Sequence, residues 1–239
     1  MSNINRPFNK GLKDGIPIAL GYLFVSMGFG ITAINSGLNP VEAIFISITN
    51  LTSAGQVAGV RVISESTVFL SSALEMLLTQ FVINLRYSLM GISLSQNTDE
   101  SFSIKNRMIC SYSITDEIYA VASTQPDPIC VSYFIGLSLL PIIGWTAGTA
   151  IGALLGSSIN PQLSAIFGIA IYGMFLSIFI PPSKKDTGIR ISVITGALIS
   201  CIIYFTPSLH FISSGFSVII SSIIAASVAA VIKPLKEEQ

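Results

Sequence analysis

Two long stretches without charge constrain this chain more than any other feature. From Pro128 to Ser183 there is no Asp, Glu, Lys or Arg, and from Ile191 to Ile232 there is again none, only His210. Each stretch can supply a pair of membrane helices at about 20 residues per crossing. Soluble domains usually carry about 25% charged residues, whereas here 10% are charged, 51% are hydrophobic and mean hydropathy is +0.74. A water-facing surface cannot be built from so few charges, so most of the surface must face lipid. The expected class is an all-α polytopic membrane protein with about 7–8 hydrophobic segments. A β-barrel would show short alternating segments instead. A net charge of zero gives no basic nucleic-acid surface.

The expected organisation is a leader over residues 1–14, one transmembrane domain over 15–232 and a tail over 233–239. The leader carries Arg6, Lys10 and Lys13, so the positive-inside bias makes it cytoplasmic, and the Lys184–Arg190 loop and the tail join it there. The first apolar run, from about Gly15, is too long for the core of a cleavable signal peptide. Cys110, Cys130 and Cys201 are odd in number, far apart and in apolar segments, which reads as small buried hydrophobes rather than disulfides or a metal site.

The run from about Val41 to Val62 is interrupted by Asn50-Leu51-Thr52-Ser53-Ala54-Gly55-Gln56. Hydrocarbon cannot satisfy the hydrogen-bonding groups of Asn, Thr, Ser and Gln. The readings are a helix that faces a cavity or a broken helix whose freed backbone holds a solute, against a kinked helix whose polar groups face its neighbours. The next segment is expected to end near Leu85, with Asn84-Leu85-Arg86-Tyr87 inside or just beyond its end and another short apolar piece to about Leu94 after it. A weakly hydrophobic segment from about Met108 to Ser123 follows, with Thr115-Asp116-Glu117 at its middle. The run over 129–159 contains Pro141 and reads as one segment or two pieces. If every segment crosses, Arg86, Lys105 and Arg107 fall outside, against the charge bias. If the segments around residues 50 and 115 instead dip in and return, those cations become cytoplasmic, as in a transporter of inverted repeats. No convincing repeat is visible in the sequence itself.

Charges at membrane depth cost about 2.5–3.5 kcal/mol on insertion scales, so they face cavities or pair with cations. Asp116 or Glu117 can bind an ammonium or exchange a proton, or both can sit near an interface and pair with Arg86, Lys105 or Arg107. Arg86, with its planar guanidinium, suits a carboxylate, whether a solute's or that of Asp116 or Glu117. Its bland reading is an interfacial anchor. Glu75 either pairs within the bundle or faces water. Gly144, Gly148, Gly152 and Gly156 recur every fourth residue and make one smooth helix face for close packing. A solute path along that face is the lesser reading. No nucleotide-binding loop, metal spacing or nucleophile elbow is present, so neither an enzyme nor a cofactor is expected.

Three blocks, Asn50–Gln56, Asn84-Leu85-Arg86-Tyr87-Ser88-Leu89-Met90 and Thr115-Asp116-Glu117, resemble in order and spacing the AzlC family of branched-chain amino acid permeases, named for azaleucine resistance. The likeness spans nearly the whole chain. Many members read closer to Phe-Ala-Gly-Ala-x-Gln in the first block, whereas this chain has the more polar Leu-Thr-Ser-Ala-Gly-Gln. The resemblance implies export of leucine, isoleucine or valine across the cytoplasmic membrane, with a small membrane partner of the AzlD type. A zwitterion needs an anion, a cation and an apolar pocket. Asn50, Thr52, Ser53 and Gln56 at the break, with Asn84, Arg86, Tyr87 and Asp116, are the expected substrate-binding residues. Asp116 and Glu117 are the expected proton carriers of a secondary transporter. The rival readings are an uncoupled facilitator and a non-transporting scaffold subunit.

Overall fold

Asn39-Pro40-Val41-Glu42 shows how the local sequence sets an element boundary here. Asn39 Oδ1 accepts the Glu42 N–H at 3.0 Å, Glu42 Oε2 accepts the Asn39 N–H at 2.8 Å, and Pro40 occupies a first-turn position that needs no N–H. The computed structural model describes residues 5–65, 69–155 and 180–233, with Gln162, Gly173 and Leu176 between them. The expected segment over 162–180, and Gly156, therefore lie almost wholly outside the described residues. The described helices are α1 (Asn5–Asn35), α2 (Pro40–Thr49), α3 (Ala54–Glu65), α4 (Phe69–Ser95), α5 (Ile104–Ser111), α6 (Asp116–Ser123), α7 (Val131–Leu155), α8 (Thr187–Phe205) and α9 (Ser214–Ile232). Among the described residues there is no strand, only an isolated bridge between Thr98 and Ile129. The all-α membrane class is thus the observed one. Four described helices are long and apolar enough to cross a bilayer: Pro7–Asn35, Val131–Leu155, Thr187–Phe205 and Gly215–Ile232.

The chain divides into two compact units, Met1–Val57 with Asn84–Ile171, and Ala58–Ile83 with Tyr172–Gln239. The spine of the first is α1 against α7. A β-carbon at Gly144 would lie 2.5 Å from Ala19 O, at Gly148 2.1 Å from Leu23 O, and at Gly152 2.1 Å from Met27 O. The numbers rise together along both helices, so the pair is parallel. Helix α1 answers with Gly11, Gly15 and Gly30, whose β-carbons would meet Tyr133 O, Leu137 O and Thr149 O at 2.2–2.5 Å. Backbones that approach this closely gain dispersion contact along their whole length. Gly21, by contrast, faces open space.

Helix α7 is continuous through Pro141. Proline cannot donate to the carbonyl four residues back, and that carbonyl, Leu137 O, is the one set against Gly15. The proline site and the close-packing site coincide, so the freed oxygen is covered by a neighbouring backbone.

The helices are interrupted at both polar stretches, around residues 50 and 115. Helices α2 and α3 are separated by residues 50–53, where Ser53 has φ +40. Helices α5 and α6 are separated by 112–115, which makes Thr115 the cap of α6 and places Asp116-Glu117 in its first turn rather than at the middle of one segment. The second interruption is a hairpin that returns to the end it left. Asp99 N donates to Ile129 O at 3.0 Å and Ile129 N to Asn97 O at 2.9 Å, which joins its entry and exit beside the start of α7. Lys10 near the start of α1 bonds Gln125 just past the end of α6. Its tip, Thr115, reaches Tyr22, about 18 Å farther along α1 at 1.5 Å per residue.

One segment boundary differs from expectation. Helix α4 runs unbroken to Ser95, so Asn84, Arg86 and Tyr87 sit well inside it. Arg86 suggests a helix end to a hydropathy reading, yet its charge is neutralised by a partner on another helix.

In the second unit Gly59 packs on Met76 and Gln80, making the last part of α3 and the first part of α4 a hairpin. Glu75 accepts hydrogen bonds from Ser213 Oγ and, at 3.0 Å, from Gly215 N, so it caps the first turn of α9. Helices α8 and α9 are joined by Ser200 Oγ to Ser221 Oγ at 3.0 Å.

Candidate functional site

The site lies in the first unit, where the two interruptions meet. Breaking a helix frees carbonyls at one end and N–H groups at the other, and each break here supplies partners for those groups. Asn50 caps α2 through its N–H to Ile46 O at 2.9 Å. Tyr112, in the second interruption, donates its hydroxyl to Ile48 O in the last turn of α2. Tyr87 on α4 is 3.4 Å from Thr52 O. Thr115 opens α6 by accepting the Ile118 N–H at 3.3 Å. Asp116 and Glu117 then occupy the first turn, where the helix dipole favours negative charge.

Two polar clusters result. In the first, Arg86 Nη1 is 2.7 Å from Asp116 Oδ2, and Arg86 Nη2 donates to Tyr87 Oη at 2.9 Å. The Arg86 guanidinium also lies 4.8 Å from the centre of the Tyr87 ring. The two charged side chains are 32% and 16% exposed, so this is a largely enclosed ion pair with a way in. Two buried polar atoms beside it have no hydrogen-bond partner, Arg86 Nε and Thr52 Oγ1. Ser53, next to Thr52, holds a left-handed backbone that residues other than glycine rarely adopt. Strain and unsatisfied groups at one place are the marks of a site whose energy is spent on something other than folding.

In the second cluster Gln56, 1% exposed, is satisfied on both ends. Trp145 Nε1 donates to its Oε1 at 2.9 Å, and its Nε2 reaches Ser47 Oγ at 3.2 Å. Ser47 in turn is 2.7 Å from Thr149 Oγ1. Tyr22 bridges the clusters. Its ring packs edge-on to Trp145 with centroids 5.2 Å apart, and its hydroxyl is 2.7 Å from Thr115 Oγ1 and 2.5 Å from Glu117 Oε2.

The structure thus brings Thr52, Arg86, Tyr87 and Asp116 together and sets Gln56 in an adjoining network. Glu117 turns to Tyr22, while Asn84 lies half-buried on α4. Gly144, Gly148 and Gly152 face α1 rather than these polar groups. Arg107 does not reach the carboxylates. It anchors its own loop through Phe102 O at 3.0 Å and Thr98 Oγ1 at 3.1 Å. Sequence reading missed Tyr22, Ser47, Trp145 and Thr149. The available signals were the single tryptophan of the chain, placed within the glycine stripe, and a tyrosine inside an apolar span, since both rings carry a polar atom that needs a partner when buried. Among the described residues no three His, Cys, Asp or Glu side chains converge to hold a metal.

A family model described as AzlC protein matches residues 17–159, which include every interruption and both clusters. The inner membrane protein YgaZ of Escherichia coli is 24% identical over 208 residues, covering 84% of this chain and 83% of that protein. A membrane protein of Archaeoglobus fulgidus is 28% identical over 193 residues, covering 80% of this chain and 82% of its own. The branched-chain amino acid transport protein AzlC of Bacillus subtilis is 24% identical over 205 residues, covering 80% of this chain and 77% of its own. No solved structure matches.

Proposed function

The chain belongs to the AzlC family of membrane transport proteins, and from that premise we propose that it exports a branched-chain or similar apolar amino acid across the cell membrane. The observation that supports this most is the Arg86–Asp116 pair beside two unpartnered polar atoms at the interrupted helices. A zwitterion can enter such a pair by exchange. Its carboxylate takes Arg86, including the unused Nε–H, and its ammonium takes Asp116, with Thr52 Oγ1 as a further acceptor. One ion pair becomes two, and no charge is left uncompensated at depth. That matters because breaking a buried pair without replacement costs about 3–5 kcal/mol. Arg86 and Asp116 satisfy each other, and substrate replaces this internal contact with equivalent ones.

Transport is secondary in this reading, driven by the proton gradient through Asp116 or Glu117, with a small membrane subunit of the AzlD type as partner. The basic leader lies on the cytoplasmic side of the inner membrane. The test is efflux of radiolabelled leucine, isoleucine and valine from cells carrying the wild-type chain, Arg86→Lys or Asp116→Asn. Lysine keeps the charge but not the planar fork, so both variants are expected to lose most of the efflux that the wild type adds. Wild-type rates in both would remove the ion pair from the mechanism.

A further inference from the structure

The two neighbouring carboxylates have different partners, and the difference divides their labour. We infer that Glu117 is the carboxylate that takes up and releases the proton, and that Tyr22 is a positioning residue that passes its state to Thr115 at the start of α6. This rests on the transport reading above and deepens it. Asp116 is engaged by a guanidinium at 2.7 Å. Glu117 meets a neutral hydroxyl, and among the described residues no cation lies within ion-pair distance of it. The ionisable groups nearby are Tyr22 on α1, Arg86 and Tyr87 on α4, and Asp116 on α6. Helix α7 carries no charged side chain between Val131 and Leu155.

Tyr22 has one proton and two oxygen neighbours, Thr115 Oγ1 and Glu117 Oε2. When Glu117 is ionised, Tyr22 donates to the carboxylate and accepts the Thr115 hydroxyl, and Thr115 Oγ1 accepts the Ile118 N–H. When Glu117 is protonated, its carboxyl donates to Tyr22 and the Tyr22 hydroxyl turns to Thr115. Thr115 Oγ1 must then accept from both Tyr22 and Ile118. One proton has been added, on Glu117. The tyrosine and threonine protons have rotated but stay on their own oxygens. The competing donor weakens the cap at the start of α6, and Asp116 is the first residue of that helix. A proton on Glu117 thereby loosens the partner of Arg86 without binding to it.

Infrared difference spectra of the full chain in liposomes, recorded across a pH step, test this directly. The carboxylic C=O band is expected in the wild type and in Asp116→Asn, and to be lost in Glu117→Gln. Tyr22→Phe keeps the ring on Trp145 but removes the acceptor, so the band should persist at a shifted frequency. Thr115→Val, which leaves Tyr22 in place, should shift it less. A band retained in Glu117→Gln, or unmoved in Tyr22→Phe, overturns the inference. Leucine counterflow in the same liposomes separates the two proposals. Absent counterflow with the expected spectra removes the transport reading alone. Counterflow whose pH dependence survives in Glu117→Gln removes the relay alone.

Discussion

Helices α1 and α7 meet backbone to backbone, whereas α8 and α9 meet through side chains. In the first pair, 39% and 50% of the most apolar stretch is buried; in the second, 22% for α9 and 6% for α8. Both pairs are apolar, so hydropathy cannot tell them apart. Within lipid, burial of apolar surface gives little preference for one helix neighbour over another. What distinguishes the pairs is the spacing of small residues, which lets the α1 and α7 backbones meet. The α1–α7 pair is a fixed frame on which a polar site can be held, and the α8–α9 pair leaves most of its surface to whatever surrounds it.

The same substitution in both pairs should give the largest contrast. A β-carbon at Gly148 would lie 2.1 Å from both Leu23 O and Ser26 Oγ, while one at Gly196 would lie 3.5 Å from Ala225 Cβ, an ordinary contact. Gly148→Ala is expected to destabilise by at least the roughly 1–3 kcal/mol of overpacking, and Gly148→Leu to abolish folded protein. Gly196→Ala should be neutral or stabilising by about 0.5–1 kcal/mol. Thermal unfolding in detergent measures all three, and equal effects at the two glycines would erase the distinction.

A smaller contrast concerns the hydrogen bonds. Gln56→Leu leaves Trp145 Nε1 and Ser47 without the buried partner they share, at a cost of about 1–3 kcal/mol. Ser221→Ala removes the single bond to Ser200 and should cost about 0.6 kcal/mol, the average for interhelical bonds in a membrane protein. A larger loss from Ser221→Ala would mean that α8 and α9 are held more firmly than their burial implies.

The smallest expected effect depends on pH. Asp186 bonds Lys233 Nζ at 2.7 Å and accepts from Gly188 N and Ile189 N at the start of α8. The Lys233 bond first, and then these N–H groups, hold its carboxyl below the usual carboxylate range. A lowered value in the folded state means that the stabilisation is complete above the ordinary carboxylate pKa, about 3.9. It is lost as pH falls through the lower folded value. The site is exposed, so the acid-side decrease in melting temperature should be slight, and Lys233→Ala should reduce it further. An unchanged pH profile in that variant would mean that the pair contributes nothing to stability.

Much of this design was legible in the residues, and what was hidden had physical reasons. The charge-free stretches announce lipid because an unpaired ion is costly in hydrocarbon. A polar interruption at residues 50–56 was visible because polar groups at depth need partners, but a broken helix could not be told from a kinked one. The unbroken course of α4 was not visible, since Arg86 looks like a helix end until Asp116 is found opposite it. The cap role of Glu75 was hidden in the same way, because the first turn of α9 lies far along the chain. The glycines of α7 were evident, but that Gly30 faces Thr149 while Gly21 faces open space depends on a parallel register that only packing fixes. Tyr22 and Trp145 were hardest to read, because a buried aromatic ring reveals its polar atom only once a partner is located.

The parallel register of α1 and α7 has a consequence for how the protein is made. Helix α1 emerges from the ribosome first, and the surface it must meet is not synthesised until α2 to α6 have followed, several seconds later at about 5–20 residues per second. During that interval its notched face has no native mate. The translocon, surrounding lipid or a chaperone must occupy those grooves until α7 has been made, so native pairing of α1 cannot be complete before residue 155.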